Sequence, residues 1–495
     1  MGYIKIAVQP ICNSINIKYK QDKYKLLTLK LIMFNKEIYV SRRKNLKKNF
    51  KSGILLFLGN DEAGMNYADN PYRFRQDSTF LYYFGLNQAG LFAIIDIDED
   101  KEYIFGDDYT IDHVVWMGPQ PSVKQRAESC GVNKTGTIKD LYDFIGKNKN
   151  KRTVHYLPPY RPEHEVKLFR LLDIHPDEVS SNSSVDFIVA VGEQRNIKSE
   201  EEIAELEKAT NITVRMHQAA MRMAQPGMTE AQVAAKVHEV ALASGANLAF
   251  PTIATINGQT LHNHYHGNTI QEGQLFLMDA GAETEMGYSG DMSSTFPVSK
   301  QFTQRQKNIY QIALAAHDAA IAELKPGAHF RDIHLLAARI IFDGLKDMGL
   351  TKGNTEDAVE NGAHALFFPC GLGHLIGLDA HDMENLGESL VGYCGQPKST
   401  QFGLKSLRLS RKLKPGFVVT IEPGIYFIPE LIDLWQKEGT NKEYIHFDKV
   451  NEYKDFSGLR NEEDILITED GYKILGQPLA KSIEDVEAER EKAFS

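Results

Sequence analysis

Apolar residues fall into two kinds of run along this chain. Some are short and unbroken, and others recur every three or four positions. Residues 54–58, 80–84, 91–97 and 102–105 are of the first kind and read as strands, with turn signals at Gly85, Gly90 and Gly106. Residues 41–50, 124–130 and 138–145 read as helices. The alternation ends near Gly192 and predicts a first α/β domain of about 150 residues.

A second domain opens at Ser199-Glu-Glu-Glu202, a capping box in which the two end residues satisfy each other's amide groups. Ile203, Leu206, Ala209 and Ile212 follow at helical spacing. Further helices fit 229–244, 303–324 and 330–348, punctuated by Pro226 and Pro326. Strands fit 275–280, 292–296, 417–421 and 464–468. Two helix pairs alternating with paired strands predict an α+β domain with an internal duplication. Residues 274–283 and 288–297 read as a hairpin around the polar turn Thr284-Glu-Met-Gly287. Asp279 and Asp291 each lie six residues from Glu285, so a hairpin centred there sets them directly opposite on one face. Opposed like charges destabilise a strand pair unless something positive lies between them. A metal cation is one reading, and two solvated carboxylates on a surface hairpin are the other.

Length and charge narrow the function class. At 495 residues two domains are the default. A content of 42% hydrophobic and 25% charged residues is that of a soluble globular protein. The net charge of -10 argues against nucleic acid or an acidic membrane as partner. No stretch is apolar and long enough to span a bilayer. Cys12, Cys130, Cys370 and Cys394 are scattered without a C-x-x-C pair, which fits a reducing cytosol and a cytoplasmic protein. Residues 1–33 are lysine-rich and read as a disordered tail or as sequence upstream of a start at Met33. The domain expectation is 34–195 and 196–480, with 481–495 as a C-terminal tail.

Four segments are candidates to join the aspartate pair. They are 371–382 with His374, His381 and Asp382; Thr420-Ile-Glu422-Pro-Gly; Gly458-Leu-Arg460-Asn-Glu462-Glu-Asp464; and Leu261-His262-Asn-His-Tyr-His266. The glycines of 371–382 do not match a dinucleotide-binding loop. Each segment also has a plainer reading: a Glu-Pro turn, a structural histidine, a surface loop. Taken together, Asp279, Asp291, His374, Glu422 and Glu462 supply four negative charges, which two divalent ions balance and one does not. Oxygen ligands with one imidazole suit manganese first, then iron, cobalt or zinc. A hydroxide bridging two ions is a hydrolytic nucleophile. His317, His329 and His334 lie on or beside helices and read as structural.

In this order the segments resemble the pita-bread metallopeptidases of family M24, and within them the aminopeptidase P/prolidase family. Phe74-Arg-Gln-Asp-Ser-Thr-Phe80 with Gly85 resembles that family's N-terminal creatinase-like domain. The resemblance implies an α/β N-terminal creatinase-like domain plus an α+β pita-bread catalytic domain with internal pseudo-duplication. It implies that Asp279 holds one ion, that Asp291 and Glu462 bridge both, and that His374 and Glu422 complete the second. Glu422 would also take a proton from the attacking water. His262 and His381 would contact substrate and stabilise charge on the scissile carbonyl, and Arg460 would orient the bridging carboxylates from behind. The implied substrate is a proline-containing peptide cut after its N-terminal residue, and the implied assembly is a dimer or tetramer. The tract 404–411 and the long insertion 427–456 look more like prolidases, the strict Xaa-Pro dipeptidases. In these an arginine at the position of Arg408 holds the substrate carboxylate. Cys370 stands where family members usually carry histidine, which bears on substrate preference. A metal-free pita-bread binding module is a further reading, opposed by the filling of every ligand position.

Overall fold

The computed structural model describes residues 33–495, so the expectation for the N-terminal extension lies outside the described residues apart from Met33. The first domain runs α1 (Lys36–Lys47), β1 (Ile54–Leu58), α2 (Ser78–Phe84), β2 (Phe92–Asp96), β3 (Lys101–Phe105), α3 (Ile111–Met117), α4 (Val123–Ser129), β4 (Lys134–Gly136), α5 (Ile138–Asn148), β5 (Val154–His155), α6 (Pro162–Leu172), α7 (Pro176–Val179) and α8 (Val185–Asn196). Its five strands form one mixed sheet in the order β4-β3-β2-β1-β5. The run 80–84, expected as a strand, is helical. Asp77 caps it by accepting from Phe80 N–H at 2.8 Å, and Gly85 ends it in the left-handed conformation at φ 65°. Every residue of α2 is buried, so no polar face was present to mark a helical period.

The second domain begins with α9 (Glu200–Met223), whose Ser199 N–H donates to Glu202 at 3.1 Å. It continues with α10 (Glu230–Ala243), β6 (Asn247–Leu248), β7 (Ile253–Thr255), β8 (Leu275–Ala280), β9 (Ala282–Glu283) and β10 (Met292–Pro297). A second round follows: α11 (Gln304–Ala322), α12 (Phe330–Asp347), α13 (Thr355–Glu360), α14 (Glu388–Val391), β11 (Val418–Ile421), β12 (Gly424–Tyr426), α15 (Pro429–Glu438), α16 (Phe447–Asn451), β13 (Gly458–Arg460), β14 (Glu463–Ile467) and β15 (Tyr472–Ile474). Each round pairs two long helices with a three-stranded antiparallel sheet, β10-β8-β7 in the first and β11-β14-β15 in the second. The expected duplication is therefore present as architecture.

Two expectations need correction. Residues 481–495 are not a tail, because α17 (Ile483–Glu491) docks there. Its fully buried Arg490 donates to the carbonyls of Met221 and Ala224, acceptors at the C-terminal end of α9, and to that of Val298 just past β10. The hairpin register also differs. Ala280 pairs with Met292 and Asp279 with Ser293, so the turn is centred on Met286 and not on Glu285. Asp279 and Asp291 still share a face, but diagonally. Asp291 falls beside Gly281, where a Cβ would lie 1.9 Å from the Gly290 carbonyl oxygen. Glycine is required there for the two strands to close. Among the described residues no helix is long and apolar enough to cross a membrane.

Candidate metal centre and substrate pocket

The hairpin is held from beneath by α9. His217, fully buried, lies 2.7 Å from Ser294 Oγ through Nδ1 and 3.2 Å from the Ala280 carbonyl through Nε2. It thus grips both strands. Above them, residues 372–376 run antiparallel to β11. Thr420 N–H donates to the His374 carbonyl at 2.9 Å and Glu422 N–H to the Leu372 carbonyl at 2.7 Å. Gly373 permits this approach, since a Cβ there would lie 2.0 Å from Thr420 O. His374 and Glu422 are in this way fixed side by side on neighbouring segments.

All five expected ligands line one cavity of about 570 Å³. Within it, single donor atoms of Asp291, His374 and Glu462 lie within 4.8 Å of one another. His374 Nε2 stands 3.6 Å from Asp291 Oδ2 and 3.6 Å from Glu422 Oε1. Its Nδ1 faces the Leu375 carbonyl at 3.0 Å, which places the proton there and leaves the Nε2 lone pair for a metal. Burial, then the nearby His381, holds this imidazole well below its ordinary pKa, so it is the neutral ligand form. Asp279 and Glu422 sit at the edge of the trio. The Arg460 guanidinium donates to Asp279 Oδ2, to Ser293 Oγ at 2.8 Å and to the Tyr426 hydroxyl at 2.8 Å, and its Nε lies 3.8 Å from Glu422. Arg460 therefore touches Asp279 and Glu422 directly.

The charges call for a cation. Burial first, then the surrounding carboxylates, pushes Asp291 and Glu462 well above the usual carboxyl range. Burial also raises Glu422, against the pull of Arg460. Asp279 Oδ1 is buried and has no hydrogen-bond partner. A buried anionic oxygen left unpaired is costly, and a divalent ion among these donors removes the cost. Oxygen-dominated donors with one imidazole fit manganese, iron, cobalt or zinc.

His262, His381 and Arg408 line the same cavity. The His381 ring packs on that of His374 with centroids 4.2 Å apart. Glu384, three residues on, accepts from His381 Nδ1 and lies 3.2 Å from Arg408 Nε. The His381 hydrogen bond, the leading influence, lowers the Glu384 carboxyl to about 2. Cys370 lines the wall, where burial pushes its thiol up to about 12, so it is an uncharged small side chain at neutral pH. Of the histidine cluster, His264 also reaches the cavity, while His266 Nε2 faces the Thr252 carbonyl at 3.1 Å. His334 is buried in α12 and His317 in α11, and His329 stands at the N-cap position of α12 without a side-chain capping bond; none of the three lines the cavity.

Several residues of the site were not singled out from sequence. Asp464 accepts from Thr210 Oγ at 2.8 Å and from Asp291 N–H at 3.1 Å, and Ser293 Oγ donates to Glu462 at 2.8 Å. Asp464 sat inside a quoted motif, and Glu384 sat one helical turn beyond His381. Ser293, Thr210 and Tyr426 carried no signal of their own.

Comparison with known proteins agrees with this geometry. The family model described as metallopeptidase family M24 matches residues 204–469, and that of the aminopeptidase P N-terminal domain matches 39–156. The Xaa-Pro dipeptidase of Homo sapiens is 28% identical over 469 residues, covering 93% of each chain. The Xaa-Pro aminopeptidase of Escherichia coli is 28% identical over 475 residues, covering 92% of this chain and 97% of its own. A probable Xaa-Pro aminopeptidase of Fusarium vanettenii is 30% identical, covering 86% and 89%. Among solved structures, a Glu383Ala Escherichia coli aminopeptidase P in complex with substrate superposes with a TM-score of 0.77 at 27% identity, covering 93% of this chain and 99% of that one.

Proposed function

Because the chain belongs to metallopeptidase family M24, with an aminopeptidase P-type N-terminal domain, we propose that it hydrolyses the bond between an N-terminal residue and a following proline with two divalent ions. The carrying observation is the convergence of Asp291, His374 and Glu462 on one cavity wall, with Asp279 and Glu422 at its edge. Asp279 would serve one ion, Asp291 and Glu462 both, and His374 and Glu422 the second. Such ions, manganese first, supply the positive charge that makes a water nucleophilic near neutral pH.

The chain's own residues do the rest. Glu422 lies within reach of the same imidazole as Asp291 and receives the proton of the attacking water. His262 and His381 face the cavity and meet the carbonyl oxygen as negative charge develops on it. Glu384 fixes the orientation of the His381 ring through Nδ1. Arg460 holds Asp279 in place and lies within 4 Å of Glu422. The scissile bond is a tertiary amide, which donates no hydrogen bond and populates two isomers, so recognition falls on the proline ring and the chain around it.

A second reading, restriction to dipeptides, is favoured by Arg408. Its guanidinium lines the cavity beside His381, 3.1 Å from Nδ1, where the free carboxylate of an Xaa-Pro dipeptide would end. One experiment separates these readings. Purified protein is assayed with manganese on Ala-Pro, Ala-Pro-Ala and longer peptides. Cleavage of the whole series supports the aminopeptidase, and Ala-Pro alone the dipeptidase. The proposal fails if no divalent ion binds or activates, or if Asp291→Asn retains turnover.

A further inference from the structure

Beside the catalytic cavity lies a second one, of about 650 Å³, between the two domains. The two meet at Ala380 and His381, which line both. Its first-domain wall is the segment 73–79 with Tyr160 and Arg161. Its second-domain wall includes Asn247, Glu283 and residues 378–385. A chain leaving the catalytic cavity past His381 enters this space.

The lining carries four arginines (Arg73, Arg75, Arg161, Arg195) and four carboxylates (Asp77, Glu283, Asp379, Glu384), so its formal charge balances. That suits a peptide and not a polyanion. The groups are unequal in what they have left to offer. Arg75 is spent on Glu283, Gln76 O, Ser78, Gly287 O and Leu378 O. Arg195 is spent on Thr79, Asp379 and Asp382. The carboxylates are likewise engaged: Asp77 caps α2, Glu283 takes Arg73 and Arg75, Asp379 takes Ser78 and Arg195, and Glu384 takes His381 and Arg408. Among the described residues, Arg73 commits only one nitrogen, to Glu283 at 3.3 Å, and Arg161 only one, to Glu163 at 2.9 Å. Both keep guanidinium donors for an anion.

We propose that this interdomain cavity is the subsite for residues following proline in a longer peptide, with the peptide's terminal carboxylate met by Arg161 and Arg73. The proposal rests on the Xaa-Pro reading and deepens it. The first domain then becomes part of substrate recognition: it supplies both arginines that meet the end of the peptide. An extended peptide advances about 3.3 Å per residue, so only a peptide of suitable length places its carboxylate at these arginines.

The test uses the full chain loaded with manganese. The ratio kcat/KM is measured for Ala-Pro, then for peptides extended by one to four alanines, each as the free acid and as the C-terminal amide. In the unaltered protein the acid of one length is expected to exceed its amide about tenfold, the range for a charge-assisted hydrogen bond. In R161A, and separately in R73A, that difference shrinks toward one. The substrate comparison needs no altered protein, so a poorly folding variant does not obscure it. Equal rates for acid and amide at every length overturn the proposal, as does a difference that survives in both variants. Cleavage of Ala-Pro alone overturns the subsite and leaves Xaa-Pro hydrolysis standing. Failure on every Xaa-Pro peptide overturns both.

Discussion

The loop that presents His381 is anchored by one buried carboxylate, and removing its charge tests that arrangement. Asp382 lies 2.6 Å from Arg195 Nη2 and 2.9 Å from Lys198 Nζ, and the side chains are 1%, 3% and 1% exposed. Asp382→Asn keeps the shape and deletes the charge. Arg195 retains Asp379 at 3.1 Å, but Lys198 is left with the Arg195 carbonyl and no anion among the described residues. An uncompensated buried charge costs about 3–5 kcal/mol, which lowers the unfolding midpoint of a domain this large by on the order of 10 °C. Replacing Lys198 by Met in the same protein removes the stranded ammonium and should return about half of the loss, a coupling that a double-mutant cycle measures. Calorimetry at pH 7 provides the midpoints.

Acid supplies a second check on the same pair. Burial, the largest influence, pushes the Asp382 carboxyl up, but Arg195 and Lys198 together outweigh it and hold it below its ordinary value. A depressed acid contributes its stability in full above the unfolded-state value of about 4, and loses it as the pH falls through the folded one. The gap between Asp382→Asn and the unaltered protein should therefore be full at neutral pH and close below pH 4. Because Asp379 and Asp382 flank His381, kcat/KM on Ala-Pro should also fall tenfold or more, measured well below the midpoint. A variant that melts within about 2 °C of the unaltered protein, or gains nothing from Lys198→Met, refutes the account.

Three further outcomes follow from buried polar groups. Adding manganese to chelator-stripped protein should stabilise it by about 2.7 kcal/mol at a hundredfold excess over Kd, read as a midpoint rise; no rise with manganese, iron, cobalt or zinc contradicts the metal centre. Burial lowers His334 to about 3 and His364 to about 4. The unfolded chain takes up protons at these positions below pH 6.5 while the folded one does not, so stability is full above 6.5 and falls toward pH 4. His334→Phe should flatten that slope, and an unchanged slope in stability against pH counts against it. Arg490→Met leaves four main-chain carbonyls without their donor and should cost about 3 kcal/mol; hydrogen exchange should rise first in 483–491, and unchanged exchange there refutes the clamp.

Much of the catalytic half was legible because its strands are bounded apolar runs and its helices carry capping residues. The residue types of the site were legible too, since four carboxylates and an imidazole on strand ends are rare without a cation. The register was not, because a one-position change in turn centre alters no local pattern: Glu285 and Met286 both fit a polar turn, and only the pairing of Ala280 with Met292 decides. Helix α2 was misread because an aromatic run buried on all sides shows no period. The contact of Arg460 with Asp279 and the interdomain cavity were beyond reach of the sequence for a shared reason. Both depend on how distant segments dock, and no spacing along the chain encodes that.

The diagonal register changes how the centre is held together. With Asp291 beside Gly281, its main-chain N–H is free to meet Asp464 from the second repeat. Two more such bonds follow: Glu462 N–H donates to the Ser293 carbonyl at 2.9 Å, and Arg460 N–H to Thr295 Oγ at 3.0 Å. Residues 291–295 and 460–464 are therefore stitched through main-chain N–H groups, one repeat to the other, where the carboxylates repel most. Neither repeat holds the proposed ligand set alone, since Asp279 and Asp291 come from the first and His374, Glu422 and Glu462 from the second. The stitching holds the carboxylates close together through bonds that no cation supplies. A cation bound there would relieve the repulsion between repeats as well as serve the chemistry, and so would link the stability of the domain to its loading.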